Sequence, residues 1–142
     1  MRNLVADRPR LLLAEDDPSL AELLRECLED DFRIEVAADG RQAVRLAHAG
    51  RPDVMVMDAR MPRMDGFAAC RALRGDPTTA DLPIIMVTGS CEPETAAEAF
   101  DAGATDYLPK PFSISQLRSR ARTLLLRRLS HWPDAELSLK GA

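Results

Sequence analysis

Five polar side chains have the same location relative to a predicted strand, because each lies at or just past the end of a short run of residues that is typical of a strand. They are Glu15, Asp16, Asp58, Thr88 and Lys110. Carboxylates held close together repel one another, and a hard divalent cation such as Mg²⁺ relieves that repulsion and still binds phosphate oxygens. An aspartate in such a cluster can act as a nucleophile, and an ammonium and a hydroxyl can stabilise a transferred phosphoryl group. The residue types therefore indicate magnesium-dependent phosphoryl transfer.

The runs that precede these side chains predict the strands of a sheet. Residues 11–14, 54–57 and 84–87 are continuously apolar and too short for helices, which is typical of strands buried on both faces. Segments with helical spacing separate them, so strands and helices alternate along the chain. The predicted strands are 11–14, 32–38, 53–58, 84–87 and 106–109, and the predicted helices are 18–28, 40–50, 67–74, 93–101 and 113–129.

Alternation of five strands with five helices predicts an α/β domain with a mostly parallel sheet, right-handed crossovers and helices on both faces. The carboxyl ends of the strands then lie at one edge, where ligands bind in open sheets. Asp17 and Pro18 predict the start of the first helix. Pro109 predicts that the last strand lies at the edge of the sheet, because proline cannot donate to a sheet ladder.

Composition and charge restrict the class of protein. The chain has 142 residues, 46% of them hydrophobic, and a net charge of -4, which excludes electrostatic binding of nucleic acid by the whole molecule. Its three cysteines have no metal-ligand spacing, and no uninterrupted apolar segment is long enough to cross a membrane. We expect a cytoplasmic protein with a flexible leader at 1–7, one domain at 8–128, and an extension of the last helix with a tail or linker at 129–142.

Four stretches carry a resemblance to a known family. They read LLLAEDD at 11–17, VMVMDARMPRMDG at 54–66, LPIIMVTG at 82–89 and GATDYLPKPF at 103–112. In this order and at this spacing, the sequence resembles the receiver domain of two-component response regulators over residues 8–128. The resemblance implies a doubly wound, flavodoxin-like α/β fold with a five-stranded parallel sheet in the order 2-1-3-4-5 and five flanking helices.

The resemblance also implies roles for the acidic residues. Asp58 matches the phosphoacceptor of the family. Glu15 and Asp16 match the acidic pair that holds Mg²⁺ together with Asp58, and the backbone carbonyl of Arg60 matches a further metal ligand. Because Arg60 is bulky and positively charged at the mouth of the expected site, we expect its side chain to change the lifetime of an aspartyl phosphate.

Further positions match residues that respond to the phosphoryl group in the family. Thr88 matches the hydroxyl that turns toward the group, and Lys110 matches the lysine that pairs with it. Tyr107 matches the aromatic residue that swings inward on activation, and Pro111 matches a proline that follows a cis peptide bond. The resemblance therefore implies that the signal leaves through helix 4, strand 5 and helix 5.

The expected partners follow from the same resemblance. It implies a histidine kinase or a histidine phosphotransfer protein as the phosphoryl donor. Acidic residues between 92 and 106, together with arginines in the last helix, favour a weak homodimer through residues 93–129. The arginine stripe, which is otherwise a solvated helix face, consists of Arg118, Arg120, Arg122, Arg127 and Arg128. No direct contact with nucleic acid or a membrane is expected.

Other interpretations stay open at the level of the sequence. The chain would be a receiver excised from a larger regulator or hybrid kinase if an output domain followed Trp132. A magnesium-dependent phosphohydrolase with an aspartyl-phosphate intermediate would commonly carry a second aspartate two residues after the nucleophile, where this chain has Arg60. The complete set of acidic residues argues against a third interpretation, an interaction module that is never phosphorylated.

Overall fold

A computed structural model describes residues 8–89 and 92–130, so the predicted leader at 1–7 and the tail from residue 131 onward lie outside the described residues. Every strand and helix begins and ends within one residue of its predicted bounds. None of the described helices has both the length and the apolar composition that crossing a bilayer requires. The elements are β1 (Arg10–Ala14), α1 (Pro18–Leu28), β2 (Arg33–Ala37), α2 (Gly40–Gly50), β3 (Val54–Asp58), α3 (Gly66–Arg74), β4 (Ile84–Thr88), α4 (Pro93–Asp101), β5 (Asp106–Pro109) and α5 (Ile114–Ser130).

The five strands form one parallel sheet in the order β2-β1-β3-β4-β5. This confirms the expected flavodoxin-like, doubly wound α/β fold. The strand order reverses between β1 and β3, and the crevice outside the carboxyl ends at such a reversal is where ligands bind in open sheets. β5 lies at the edge of the sheet, as Pro109 predicts.

Each face of the sheet carries its own apolar cluster. β3 and β4 are buried at every residue, which explains why their sequences are continuously apolar. Met57 belongs to the cluster that contains Leu73 of α3, whereas its neighbour Val56 belongs to the cluster that contains Leu117 of α5. Full burial of such side chains stabilises the fold by about 1.5–3 kcal/mol each. The core therefore fixes the positions at which the strands end.

Aspartate side chains begin three of the helices at the carboxyl edge of the sheet. Asp17, Asp39 and Asp65 each accept a backbone N–H from the first turn of α1, α2 and α3. An interaction of this kind typically stabilises a helix by about 1 kcal/mol. The predicted role of Asp17 at the start of the first helix is confirmed. These caps also fix the loops that surround the strand ends.

The arginines of α5 do not form the single basic face that their spacing suggests. Arg118 Nε lies 2.7 Å from Asp31 Oδ2, and Arg122 also pairs with Asp31. Arg120 Nη1 donates to both carboxylate oxygens of Asp106 at 2.9 Å. Helical periodicity predicts where these side chains lie on the helix, but it does not reveal the acidic residues opposite them. Arg128 makes a third set of contacts, with the carbonyls of Pro52 and Asp53, so the stripe is divided among separate intramolecular partners.

Candidate functional site

The register of the sheet arranges the ends of β3, β4 and β5 in steps. Asp58 is level with Val87, so Thr88 lies one residue nearer the carboxyl edge. Thr88 in turn is level with Pro109, so Lys110 lies one residue farther out. The long side chain of Lys110 can therefore fold back over the edge of the sheet toward Asp58.

Three carboxylates meet at this edge. Glu15, Asp16 and Asp58 each offer a ligand oxygen, and these oxygens all lie within 4.8 Å of one another. Glu15 is 5% and Asp58 8% exposed, whereas Asp16 is exposed to solvent. A hard cation that binds oxygen and keeps several waters, as Mg²⁺ does, suits a carboxylate cluster that is open on one side. The structure thus brings together the predicted acidic residues of the site.

Lys110 supplies the positive charge that the cluster contains. Its Nζ atom lies 3.2 Å from Asp58 Oδ2 and 3.6 Å from Glu15 Oε1. Burial alone would lower the pKa of Lys110, but the attraction of Asp58 and then of Glu15 outweighs it, so that the pKa is raised. The ammonium is therefore charged and bridges β5 to the ends of β3 and β1.

One ammonium does not balance the negative charge of three carboxylates. Glu15 is also buried, and its pKa is raised. Burial raises the pKa of Glu15 from 4.5 to about 7, and repulsion from Asp58 contributes in the same direction. A hydrogen bond from the Asp17 N–H to Glu15 Oε2, at 3.1 Å, and the charge of Lys110 oppose that rise without cancelling it. A buried carboxyl that holds its proton near neutral pH indicates a site that needs a further positive charge. The residues present therefore fit a bound magnesium ion.

The second oxygen of Asp58 is held by the loop that follows β3. The Arg60 N–H donates to Asp58 Oδ1 at 3.1 Å, while the Arg60 side chain is exposed. Gly66 closes this loop against the strand, because a Cβ atom at that position would lie 2.3 Å from Asp58 O. Both carboxylate oxygens of Asp58 thus have a donor, one from Lys110 and one from the backbone.

Thr88 and Tyr107 lie at the ends of neighbouring strands. Thr88 is 1% exposed, and its carbonyl accepts the Lys110 N–H at 2.6 Å. Tyr107 is partly buried against the cluster that contains Met86, and its ring centroid lies 6.5 Å from that of Phe100 in α4. Alternation along β4 places the Thr88 side chain on the same face of the sheet as Met86. Thr88 and Tyr107 therefore lie on one face, beside α4.

A contact that the sequence does not predict holds the loop between β3 and α3, residues 59–65. Arg63 Nε donates to Asp39 Oδ2 at 2.8 Å. A Cβ atom on Gly40 would lie 2.0 Å from Met64 O, so the loop packs directly on the start of α2. From the sequence, Asp39 and Gly40 predict only a turn and a helix start. A glycine at the first position of a helix, where it gives no conformational advantage, is the signal of this close approach.

Comparison with known proteins agrees with this geometry. A family model described as the response regulator receiver domain matches residues 11–122. The response regulator MprA of Mycolicibacterium vanbaalenii is 44% identical over 119 residues, which are 83% of this chain and 51% of that protein. The DNA-binding dual master transcriptional regulator RpaA of Synechocystis is 38% identical over 128 residues, which are 89% of this chain and 53% of that protein. The chain thus spans about half the length of the curated relatives it matches.

Solved structures extend the comparison to three dimensions. The receiver domain of a Francisella response regulator has a TM-score of 0.80 and 33% identity, and the match covers 85% of this chain and 99% of that chain. The receiver domain of a sensor histidine kinase from Pseudomonas aeruginosa, solved with a magnesium ion coordinated in its active site cleft, has a TM-score of 0.78 and 33% identity over 83% of this chain and 98% of that chain. The chain therefore belongs to the response regulator receiver domain family, as a phosphoacceptor module of two-component signalling whose acidic site of Glu15, Asp16 and Asp58 binds Mg²⁺.

Proposed function

We propose that Asp58 is the residue that accepts the phosphoryl group, from the phosphohistidine of a histidine kinase or of a histidine phosphotransfer protein. A carboxylate oxygen of Asp58 attacks phosphorus, the phosphorus–nitrogen bond breaks, and the donor histidine leaves with the electron pair. The observation that carries the proposal is the position of Asp58, which is shared by the acidic cluster and by the Lys110 ammonium 3.2 Å away. The Arg60 N–H and the Lys110 ammonium each donate to a different oxygen of Asp58, which orients the carboxylate.

Glu15, Asp16, Asp58 and the backbone carbonyl of Arg60 would hold the magnesium ion. When it is bound, Mg²⁺ neutralises negative charge on the carboxylates and on the transferred phosphoryl oxygens. Lys110 then neutralises a further phosphoryl oxygen. The receiver family consists of signalling modules, so this chain is not a metabolic enzyme, and the phosphohydrolase interpretation does not hold.

Thr88 and Tyr107 are proposed to convert phosphorylation into a change of surface. In this proposal, the Thr88 hydroxyl turns to donate to a phosphoryl oxygen, and the Tyr107 ring moves into the space behind it. The close packing of Tyr107 against Phe100, itself 50% exposed, supports a surface change at α4, β5 and α5. The exposed Arg60 side chain is proposed to set the lifetime of the aspartyl phosphate.

A weak homodimer through residues 93–129 is proposed as one output. α4 carries Glu94, Glu98 and Asp101 and no basic residue. Because Arg120 already pairs with Asp106 inside the chain, a dimer would exchange an intramolecular ion pair for an intermolecular one. Exposed ion pairs contribute roughly 0–1 kcal/mol each, so this dimer would be weak and sensitive to salt.

The receiver unit is proposed to comprise residues 8–128, with a leader at 1–7 and a helix extension and linker at 129–142. Since the chain spans about half the length of its curated relatives, we favour a receiver that belongs to a larger regulator or hybrid kinase. The receiver itself would work in the cytoplasm without direct contact to nucleic acid or membrane, and the effect on the target would come from an output domain.

Labelling with a small phosphodonor tests the proposed acceptor. With Mg²⁺ and acetyl phosphate, intact-protein mass spectrometry is expected to show one added phosphoryl group that hydroxylamine removes. Asp58→Asn keeps the size of the side chain and removes the nucleophile, so it should abolish the adduct. Full labelling of Asp58→Asn would place the acceptor elsewhere.

A further inference from the structure

We propose that Arg63 is a positioning residue for the phosphoacceptor: its ion pair with Asp39 holds the loop of residues 59–65 in the conformation that aims the Arg60 N–H at Asp58. The proposal rests on the proposed function, because it gives this loop a role in the phosphorylation of Asp58. It is carried by one backbone conformation, one ion pair and two hydrogen bonds that the loop backbone donates.

Arg63 has a backbone conformation that residues with side chains rarely adopt. Its φ is 66°, in the left-handed region, and Arg51 with a φ of 47° is the only other such non-glycine residue in the part of the chain that the structure describes. Arg51 lies at the C-terminal end of α2, where a left-handed residue is common. Arg63 ends no helix, so contacts of the loop hold its conformation: the Met64 N–H donates to Pro62 O across it at 2.7 Å, and its side chain pairs with Asp39.

Asp39, whose carboxylate accepts the hydrogen bond from Arg63, is itself fixed at the start of α2. Asp39 Oδ2 accepts from Arg63 Nε at 2.8 Å, and Asp39 Oδ1 accepts from the Gln42 N–H at 2.8 Å. These hydrogen bonds, that of Gln42 first, lower the pKa of Asp39, so its carboxylate is ionised at neutral pH. The Asp39 side chain is 12% exposed, whereas that of Arg63 is 60% exposed. The Arg63 guanidinium thus reaches from solvent to a rigid carboxylate.

The loop is too short for one end to shift without the other. Gly66 N–H donates to Ala59 O at 2.9 Å, which closes the loop at its base. Arg60, three residues before Arg63, donates its N–H to Asp58 Oδ1 at 3.1 Å. If Arg63 loses its anchor and leaves the left-handed region, the loop between these contacts must change course. The Arg60 peptide then turns away from Asp58.

This role differs from a contribution to folding stability. The Arg63 guanidinium is mostly exposed, and an ion pair with an exposed partner adds little to the stability of a domain, so removal of that side chain should leave thermal melting nearly unchanged. Groups that orient a site commonly change its activity by about tenfold or more when they are removed. The expected signature is therefore a slower reaction at Asp58 in a protein of normal stability.

Two variants remove the ion pair and leave the cost of the left-handed backbone in place. Arg63→Met removes the guanidinium and keeps a side chain of similar length, so the left-handed conformation stays unfavourable without its anchor. Asp39→Asn removes the charge and keeps a good helix cap. Each should slow acetyl-phosphate labelling of Asp58 at saturating Mg²⁺ by about tenfold. The double variant should be no slower than either single variant, because both remove the same contact.

Arg45→Ala is the matched control, because Arg45 is an exposed arginine of α2 and its removal changes the charge equally. Its labelling rate should equal that of the wild type, while Arg63→Lys should recover part of the rate lost in Arg63→Met. Labelling of Arg63→Met at the wild-type rate would overturn the proposal, as would additive losses in the double variant. If Arg63→Met does not fold, a wild-type rate in Asp39→Asn overturns it equally. Absence of labelling in the wild-type protein would instead contradict the proposed function.

Discussion

Replacement of Glu15 by glutamine in magnesium-free buffer should remove much of the pH dependence of folding stability near neutrality. Burial, and to a lesser extent repulsion from Asp58, raise the pKa of Glu15 from 4.5 to about 7. A carboxyl whose pKa rises on folding binds its proton more tightly in the folded state. Its stabilising contribution is complete below the unfolded pKa of 4.5 and is lost as the pH rises through about 7.

The structure sets the size of this effect. A pKa that moves from 4.5 to about 7 corresponds to about 3 kcal/mol, at about 1.36 kcal/mol for each pKa unit. Glu15 is 5% exposed, so solvent screens the effect only slightly. Between about pH 5 and about pH 8, the free energy of unfolding of the wild type should therefore fall by about 2–3 kcal/mol more than that of Glu15→Gln. This is a large part of a typical domain stability of about 5–15 kcal/mol.

Urea unfolding followed by circular dichroism, in a chelator at both pH values, measures this difference. Glu22→Gln, which removes an exposed carboxylate from α1, should follow the wild type. Magnesium at about ten times its dissociation constant should return about 1.4 kcal/mol to the wild type at the higher pH. If the wild type and Glu15→Gln lose stability in parallel as the pH rises, Glu15 does not carry the raised pKa and the reasoning fails.

Three other substitutions test separate contacts. Gly66→Ala would place a Cβ atom 2.3 Å from Asp58 O, so it should lower the free energy of unfolding by about 1–3 kcal/mol, and a wild-type urea midpoint would contradict this close approach. Arg74→Ala removes the hydrogen bond from Nε to Gly103 O at 2.8 Å, which should cost about 1–3 kcal/mol and speed amide exchange around Gly103; unchanged exchange would show that the contact is not formed in solution. Asp16→Ala should weaken magnesium binding measured by calorimetry without unfolding the protein, since Asp16 is exposed, and an unchanged affinity would remove it from the site.

The strand ends are predictable from the sequence because two signals coincide there. In β3 and β4, a run of buried apolar residues is followed at once by a polar residue, Asp58 or Thr88. A strand that is buried on both faces needs a continuous run of apolar residues, and that run ends where the strand leaves the core at the edge of the sheet. The polar residue that follows therefore lies at the edge where ligands bind. The aspartate caps are equally local, because the donor N–H groups lie within three residues of each carboxylate.

The contacts that the sequence does not predict are those that depend on the course of a loop. Arg63 and Asp39 are 24 residues apart, and they meet only because Arg63 adopts a left-handed backbone that nothing in its side chain favours. The raised pKa of Glu15 is unpredictable for a related reason. It depends on the depth of burial and on the distance to Asp58, which the fold sets and composition does not.

Lys110 lies between Asp58 and Glu15, and its charge helps to set the net charge of the site. As a result, the binding of magnesium is coupled to the release of a proton. With Glu15 ionised, three carboxylates and one ammonium leave two negative charges, which a divalent cation cancels. With Glu15 protonated, only one negative charge remains for the cation. Magnesium that binds below about pH 7 must therefore displace the Glu15 proton into solution. The heat of magnesium binding will accordingly depend on the ionisation enthalpy of the buffer, and the affinity of the receiver for its ion will fall as the pH drops through about 7.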